Sequence, residues 1–228
     1  MPDKANPLKV EATRSYGAEV VFHGNDFDEA REFAERTATK RGYRYIHSAN
    51  EPLLISGVGT LALEIFEDLP GADAIISPVG GGSGASGACI VSKAVSPKTW
   101  VIGVQSESAP AQYKSWKTGE LVSDKMETFA EGLATRVGFE LTQKILRECL
   151  HDFVLVSDGE IRSSMIRMIE ATQTLVEAAG ASPLAALYKI RDQLRGKKIA
   201  LVLSGGNITL EQLRDVLSSR DKKHAVPN

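Results

Sequence analysis

Ile75-Ile76-Ser77-Pro78-Val79-Gly80-Gly81-Gly82-Ser83-Gly84-Ala85-Ser86-Gly87 reads as an apolar strand that runs into a glycine-rich turn and opens a helix of small residues. Glycines let successive backbone N–H groups converge on one anion, and the positive end of the following helix dipole adds to the attraction. The stretch therefore predicts a parallel α/β fold with an anion cradle at a strand's carboxyl end.

The surroundings support that architecture. Pro7 to Tyr16 has the pattern of a helix stopped by Gly17, and Ala18-Glu19-Val20-Val21-Phe22 that of a short strand. Asn25 is placed to cap a helix carrying Phe27, Ala30, Phe33, Ala34 and Ala38, ended at Gly42 and followed by a strand, Tyr43-Arg44-Tyr45-Ile46. Residues 52–69 are helical in pattern and lead into the strand at 74–79; the helix after the glycine turn reaches about Ala94, and Thr99 to Val104 is the next strand.

Residues 105–137 lack periodicity apart from a short helix around Ala111 to Lys117, and irregular segments of that length inside α/β domains are often functional. Beyond them come a helix from Phe139 to Cys149, a strand at Phe153-Val154-Leu155-Val156, and a long helix capped by Ser157 or Asp158. That helix sets Ile161, Met165, Ile169, Thr172 and Val176 on one core-facing stripe, with Glu177 at its end. Pro183 suits the first turn of a helix to Leu194, and Lys198 to Leu203 is an almost continuous apolar strand that delivers Ser204-Gly205-Gly206-Asn207. A last helix, Thr209 to Leu217, precedes a polar tail expected to fray.

Composition narrows the function. With 228 residues, 43% hydrophobic and 25% charged, and a net charge of −2, the chain can bury a large core and has no electrostatic case for a nucleic-acid or membrane-surface partner. Cys89 and Cys149 are the only cysteines. Both fall in apparent apolar helices, which reads as reduced, buried thiols of a cytoplasmic protein without a disulfide framework or a metal site. Neither a signal core nor a membrane-spanning run is visible.

Taken alone, Gly82-x-Gly84-x-x-Gly87 with Glu107 downstream also fits a dinucleotide fingerprint. Against it, two α/β units precede the turn, and Gly80 and Gly81 extend the cradle beyond what a pyrophosphate needs. Ser204 brings a hydroxyl to a second strand end, and Glu177 offers a carboxylate for the same pocket or for solvent.

Seven segments in this order resemble the pyridoxal-phosphate enzymes of the tryptophan synthase β-subunit fold (fold type II), specifically the serine/threonine dehydratase and serine racemase group. They are Arg14-x-Tyr16-Gly17-Ala18-Glu19-Val20, Asn50-Glu51-Pro52, Gly57-Val58-Gly59-Thr60, Pro78-Val79-Gly80-Gly81-Gly82, Ala130-Glu131-Gly132-Leu133-Ala134, Glu177-Ala178-Ala179-Gly180-Ala181 and Ser204-Gly205-Gly206-Asn207. The resemblance implies that Gly80, Gly81, Gly82, Ser83 and Gly84 bind the cofactor phosphate, Ser83 standing where the family has glycine. It implies that Ser204 hydrogen-bonds the pyridine nitrogen, that Asn50 and the backbone near Gly132 lie close to the ring, and that Glu177 is an acid of the pocket. A hydroxyl cannot hold the ring as a pyridinium as a carboxylate does, so the cofactor would be a weaker electron sink. The implied activity is L-threonine or L-serine ammonia-lyase chemistry, a β-elimination giving a 2-oxo acid and ammonia.

Two family motifs find no counterpart: Ser-Phe-Lys-x-Arg-Gly, with the Schiff-base lysine, and Ser-x-Gly-Asn-His, which holds the substrate carboxylate. Thr39-Lys40-Arg41-Gly42 resembles the first only superficially. Gln105 and Ala111 stand where serine racemases place cation ligands, so no metal is expected. The expectation is a chain that begins in mid-domain, with residues 1–50 a remnant of the small domain and 51–228 the large phosphate-binding domain. It would be silent by itself, pairing as a homodimer or with a complementing N-terminal segment. A non-catalytic pseudoenzyme, half of a split enzyme and a truncated gene product are the other readings.

Overall fold

The computed structural model describes residues 1–218; the polar tail expected to fray lies outside them. Its centre is a four-stranded, wholly parallel sheet of β1 (Ala74–Pro78), β2 (Trp100–Ser106), β3 (Asp152–Val156) and β4 (Ile199–Leu201), in the order β3-β2-β1-β4. The helices are α1 (Pro7–Ser15), α2 (Phe27–Arg41), α3 (Pro52–Asp68), α4 (Ser83–Val95), α5 (Ala111–Thr118), α6 (Glu140–Cys149), α7 (Asp158–Thr172), α8 (Ala178–Ile190) and α9 (Leu210–Ser218).

Strand side chains alternate between two cores. Ala74, Ile76, Ile102, Val104, Val154 and Val156 join Ile161 and Met165 of α7 and Ala181 and Ala185 of α8. Ile75, Val101 and Phe153 join Ala62 of α3, Ala85 and Ala88 of α4 and Leu146 of α6 on the opposite face. A sheet covered on both faces explains why β1 and β2 are buried almost throughout and read as mainly apolar runs.

Two expected strands do not form. Residues 18–22 and 43–46 have strand composition, but a strand needs a ladder partner. Residues 21–24 find only the first three residues of the chain: the Met1 amine donates to the Val21 carbonyl (2.7 Å) and His23 N–H to the Met1 carbonyl (2.9 Å). Tyr43 and Ile46 stay 62% and 58% exposed. Residues 1–50 thus contribute α1, α2 and irregular chain.

Smaller corrections have local causes. Asp26, not Asn25, caps α2, its carboxylate accepting from Glu29 N–H (2.9 Å). The long helix α7, opened by the Ser157–Glu160 capping box, stops at Thr172 because Gln173 takes a left-handed φ of 55°. Val176 is buried in the same core from outside the helix, and Glu177 is the N-cap of α8 instead of the end of α7. Pro183 lies inside α8, not in its first turn. A proline there leaves the carbonyl four residues back without its donor. The Ser182 hydroxyl donates to that Ala179 carbonyl at 2.7 Å and replaces the missing bond.

Candidate functional site

The carboxyl ends of β1 and β4 lie side by side, paired from Ala74↔Ile199 to Ile76↔Leu201. β1 therefore delivers the glycine loop, and the chain after β4 delivers Ser204, to one edge of the sheet, where ligands bind in open α/β folds.

The loop's shape is set by its neighbours. A methyl group on Gly80 would lie 2.0 Å from the Gly132 carbonyl oxygen, so loop and 130–133 turn meet backbone to backbone. Gly81 packs on the Ala49 side chain. Gly82, with φ of 92°, starts α4 from the left-handed region and gives it no side-chain cap. Two hydroxyls hold the loop's carbonyls inward: Thr135 Oγ1 donates to Gly80 O (3.3 Å) and Thr142 Oγ1 to Gly81 O (3.0 Å).

With the carbonyls turned in, the N–H groups are left over. Those of Gly80, Gly81, Gly82, Ser83, Gly84 and Ala85 donate to no acceptor among the described residues; the first to do so is Ser86, to Gly82 O. Gly82 is buried, Gly80, Gly81 and Ser83 are half-buried and Gly84 is exposed. Six donors without acceptors, running into the positive end of a 13-residue helix, suit an anion such as a phosphate group. The donor set fits pyridoxal phosphate, whose phosphate such a cradle would hold.

Asn50 lies beside the loop. Its Oδ1 accepts from Leu141 N–H (2.9 Å) and caps α6, whose own N-cap residue, Phe139, supplies no side-chain bond. The turn that presents Ala49 and Asn50 is built on His47, whose Nδ1 accepts from both of their N–H groups at 2.9 Å. Burial holds the His47 imidazole below its ordinary pKa and the Arg31 guanidinium lowers it further, against Glu35 and Asp28. His47 is therefore neutral near pH 7, as an acceptor must be.

Glu177, Gly132 and Gly205 converge on one another. The Glu177 carboxylate lies 2.7 Å from where a methyl on Gly205 would sit and 3.8 Å from one on Gly132. Glu177 N–H also donates to Gly205 O (3.0 Å). Ser204 is exposed, and its hydroxyl has no partner among the described residues. The 128–133 segment is pinned by Asp158, which accepts from Ser106 Oγ (2.9 Å), Thr128 Oγ1 (2.6 Å) and Phe129 N–H (3.2 Å).

Eight of the nine expected site residues thus fall in two direct contact groups, Gly80–Gly84 with Gly132 and the Ala49–Asn50 turn, and Gly132 with Glu177 and Gly205; Ser204 joins the second only as the chain neighbour of Gly205. Sequence reasoning missed Thr135, Thr142, His47 and Asp158; a hydroxyl that ties down a carbonyl far away in the chain leaves no spacing signal. Gly87, the third glycine of the dinucleotide pattern, faces the Gly59 amide and the Ile55 carbonyl and lets α3 approach α4. Lys40 is on the exposed last turn of α2, and the Lys9 amine pairs with Glu131 (3.2 Å). Gln105 is fully buried, its Oε1 accepting from Tyr113 N–H (3.0 Å). Among the described residues no helix is long and apolar enough to cross a membrane, and no three acidic, histidine or cysteine side chains gather as a metal site would require.

Residues 1–205 match the family model described as pyridoxal-phosphate dependent enzyme. The chain belongs to that family. Within the pyridoxal-phosphate dependent enzymes it is 38% identical over 220 residues to the L-threonine ammonia-lyase of Thermotoga maritima, covering 96% of this chain and 54% of that protein. It is 37% identical over 219 residues to the catabolic L-threonine dehydratase TdcB of Escherichia coli, covering 95% and 67%. The chain therefore spans between about half and two thirds of the length of these relatives. The processed threonine deaminase isoform 2 of Solanum lycopersicum superposes with a TM-score of 0.87 at 30% identity, over 96% of this chain and 64% of the other. For the serine racemase of Dictyostelium discoideum the TM-score is 0.81 at 32% identity, over 92% and 68%. These neighbours bear out the expected α/β architecture and the threonine dehydratase and serine racemase group of the family.

Proposed function

We propose that this chain carries the cofactor-phosphate half of an amino-acid ammonia-lyase of the threonine/serine type, and that by itself it binds pyridoxal phosphate without covalent attachment and without turnover. The observation that carries the reading is the row of six unpartnered N–H groups at the start of α4. In the proposal Gly80 to Gly84 hold the phosphate, Thr135 and Thr142 keep the loop's carbonyls turned away from it, and Asn50 and the Gly132 backbone line the ring. The Ser204 hydroxyl faces the ring nitrogen as a neutral partner, and Glu177 supplies the nearest carboxylate. Bound, the cofactor would offer an electron sink to the α-carbon of an amino acid.

What such chemistry also requires is a lysine that attaches the cofactor and moves the α-proton. No lysine of the chain occupies the family's motif, so the proposed state is a loaded cradle without a base. The experiment is a titration with pyridoxal phosphate followed by inorganic phosphate as competitor, borohydride treatment and peptide mapping. Saturable binding displaced by phosphate, no pyridoxyl adduct on a lysine beside the cradle, and no 2-oxo acid from threonine or serine are the expected results. Phosphate-insensitive binding overturns the cradle, and a stable adduct beside it or measurable turnover overturns the silent state.

A second reading, in which a further polypeptide segment covers residues 18–46 and brings the lysine, is favoured by the exposure of Val21, Phe22, Tyr43 and Ile46. Adding a separately made front segment of the threonine ammonia-lyase type and measuring 2-oxo acid release separates the two.

A further inference from the structure

The two cysteines, far apart in sequence, come together on the face of α4 and α6 away from the cradle. Cys89 lies in the middle of α4 and is fully buried; Cys149 is the last residue of α6 and is only half-buried. Both line one groove of about 310 Å³, whose wall also carries Lys93 from α4 and Glu148 from α6. Cys89 belongs to the buried cluster under the sheet, and Cys149 packs against that same cluster.

From this geometry we propose that Cys149 is an oxidant-sensitive thiol and that Cys89 resolves it to a disulfide, stapling α4 to α6. The arrangement has the three parts such a site requires: an open thiol, a neighbouring cation, and a second thiol lining the same groove. The neighbouring Cys89 holds the Cys149 thiol below its ordinary pKa; burial and Glu148 oppose this and Lys93 supports it. The neighbouring Cys149 and burial push the Cys89 thiol well up, so Cys89 stays a protonated thiol. Lys93 is one turn beyond Cys89 on the same helix, which sets its amine over the groove that Cys149 faces.

The reactant is a hydroperoxide. Its terminal oxygen is transferred to the Cys149 thiolate: an S–O bond forms, the O–O bond breaks, and the departing hydroxide or alkoxide takes up a proton. The Cys89 sulfur then attacks the Cys149 sulfur, an S–S bond forms, the S–O bond breaks, and the hydroxyl leaves as water with the Cys89 proton. Two electrons pass from the thiols to the hydroperoxide. The staple joins the helix that opens at the glycine cradle to the helix whose Thr142 holds Gly81 O.

The test is stoichiometric hydrogen peroxide added to the reduced full chain, followed by intact-mass measurement, thiol titration and a non-reducing gel. The expected product is monomeric, lighter by two hydrogens, without free thiols, and restored by dithiothreitol. Cys89→Ala should stop one oxygen heavier, with a dimedone-trappable sulfenic acid at Cys149, and Cys149→Ala should leave Cys89 unmodified. Lys93→Met should slow the first step severalfold at neutral pH, with the gap closing above the ordinary thiol pKa, where the lysine no longer governs ionisation. A wild-type product with Cys149 overoxidised beside a free Cys89, disulfide-linked dimers, or equal oxidation of Cys89 in the Cys149→Ala variant would overturn the proposal.

Discussion

Adding a single methyl group at Gly80 tests the cradle directly. A Cβ there would lie 2.0 Å from the Gly132 carbonyl oxygen, 3.1 Å from its carbon and 3.7 Å from Leu133 Cα, whereas ordinary contact begins at 3.4 Å. All three atoms are backbone, so no side chain can swing aside. The 130–133 turn cannot retreat easily, because Ala130 and Leu133 are fully buried and Asp158 pins the residues before it. Gly80→Ala must therefore push the glycine loop outward by about an ångström, and forced overpacking of this kind costs about 1–3 kcal/mol. For a chain of this size, about 2 kcal/mol lowers Tm by about 4–8 °C. The shift also moves donors out of register, and loss of one or two hydrogen bonds to a charged phosphate weakens binding about tenfold to 100-fold or more. Thermal unfolding and a pyridoxal phosphate titration with phosphate competition measure both effects. Gly57→Ala is the control: that glycine lies inside α3, a methyl on it would meet nothing within 4 Å, and the same replacement should leave binding intact and raise stability by about 0.5–1 kcal/mol. Wild-type Tm and affinity in Gly80→Ala would refute the close approach, and equal losses in both variants would refute its local origin.

Three further outcomes follow from single contacts. The folded-state pKa of His47 is depressed, so its contribution to stability is present above the ordinary imidazole value and is lost as pH falls through it; between about pH 7 and 5, Tm of the wild type should fall more steeply than that of His47→Asn. Asp158→Ala strips acceptors from Ser106, Thr128 and Phe129, which should cost about 2–3 kcal/mol and speed hydrogen exchange across residues 128–133. Ser182→Ala leaves the Ala179 carbonyl facing Pro183 without any donor in a fully buried turn, and should destabilise by about 1–3 kcal/mol in a denaturant titration while phosphate binding persists.

Legibility in the sequence followed the kind of interaction involved. β1 and the glycine loop were readable because burial on both faces forces a mainly apolar run and close backbone approach forces glycine, and both leave their mark at consecutive positions. The strands at 18–22 and 43–46 were misread for the complementary reason: composition records a segment's preference, not whether a ladder partner exists. The end of α7 was misplaced because Val176 continues the stripe of Ile161 and Met165 into the same core, although the helix has already ended at Gln173. Core periodicity reports which side chains are buried together, and an irregular turn can bury one as well as a helix can. Thr135, Thr142 and Asp158 left no mark in the sequence, since each bonds a segment far away in the chain: the two threonines tie down backbone carbonyls, and Asp158 holds two hydroxyls and one N–H.

The supports of the cradle explain how binding can be separate from turnover. Gly80 rests on Gly132, Gly81 on Ala49, and the loop's carbonyls on Thr135 and Thr142, all contacts among residues 47–142. None of them uses a lysine, and none is made by α1 or α2. The six N–H groups are therefore aimed before any ligand arrives, so ordering the loop adds little cost to binding. Proton transfer has no such local support: it depends on a base held near the ring, and the Lys9 amine, which reaches the Gly132 turn, is already paired with Glu131. A cradle fixed by its own neighbours does not draw on a base, and for that reason phosphate-competed binding without turnover is the outcome the proposed function predicts.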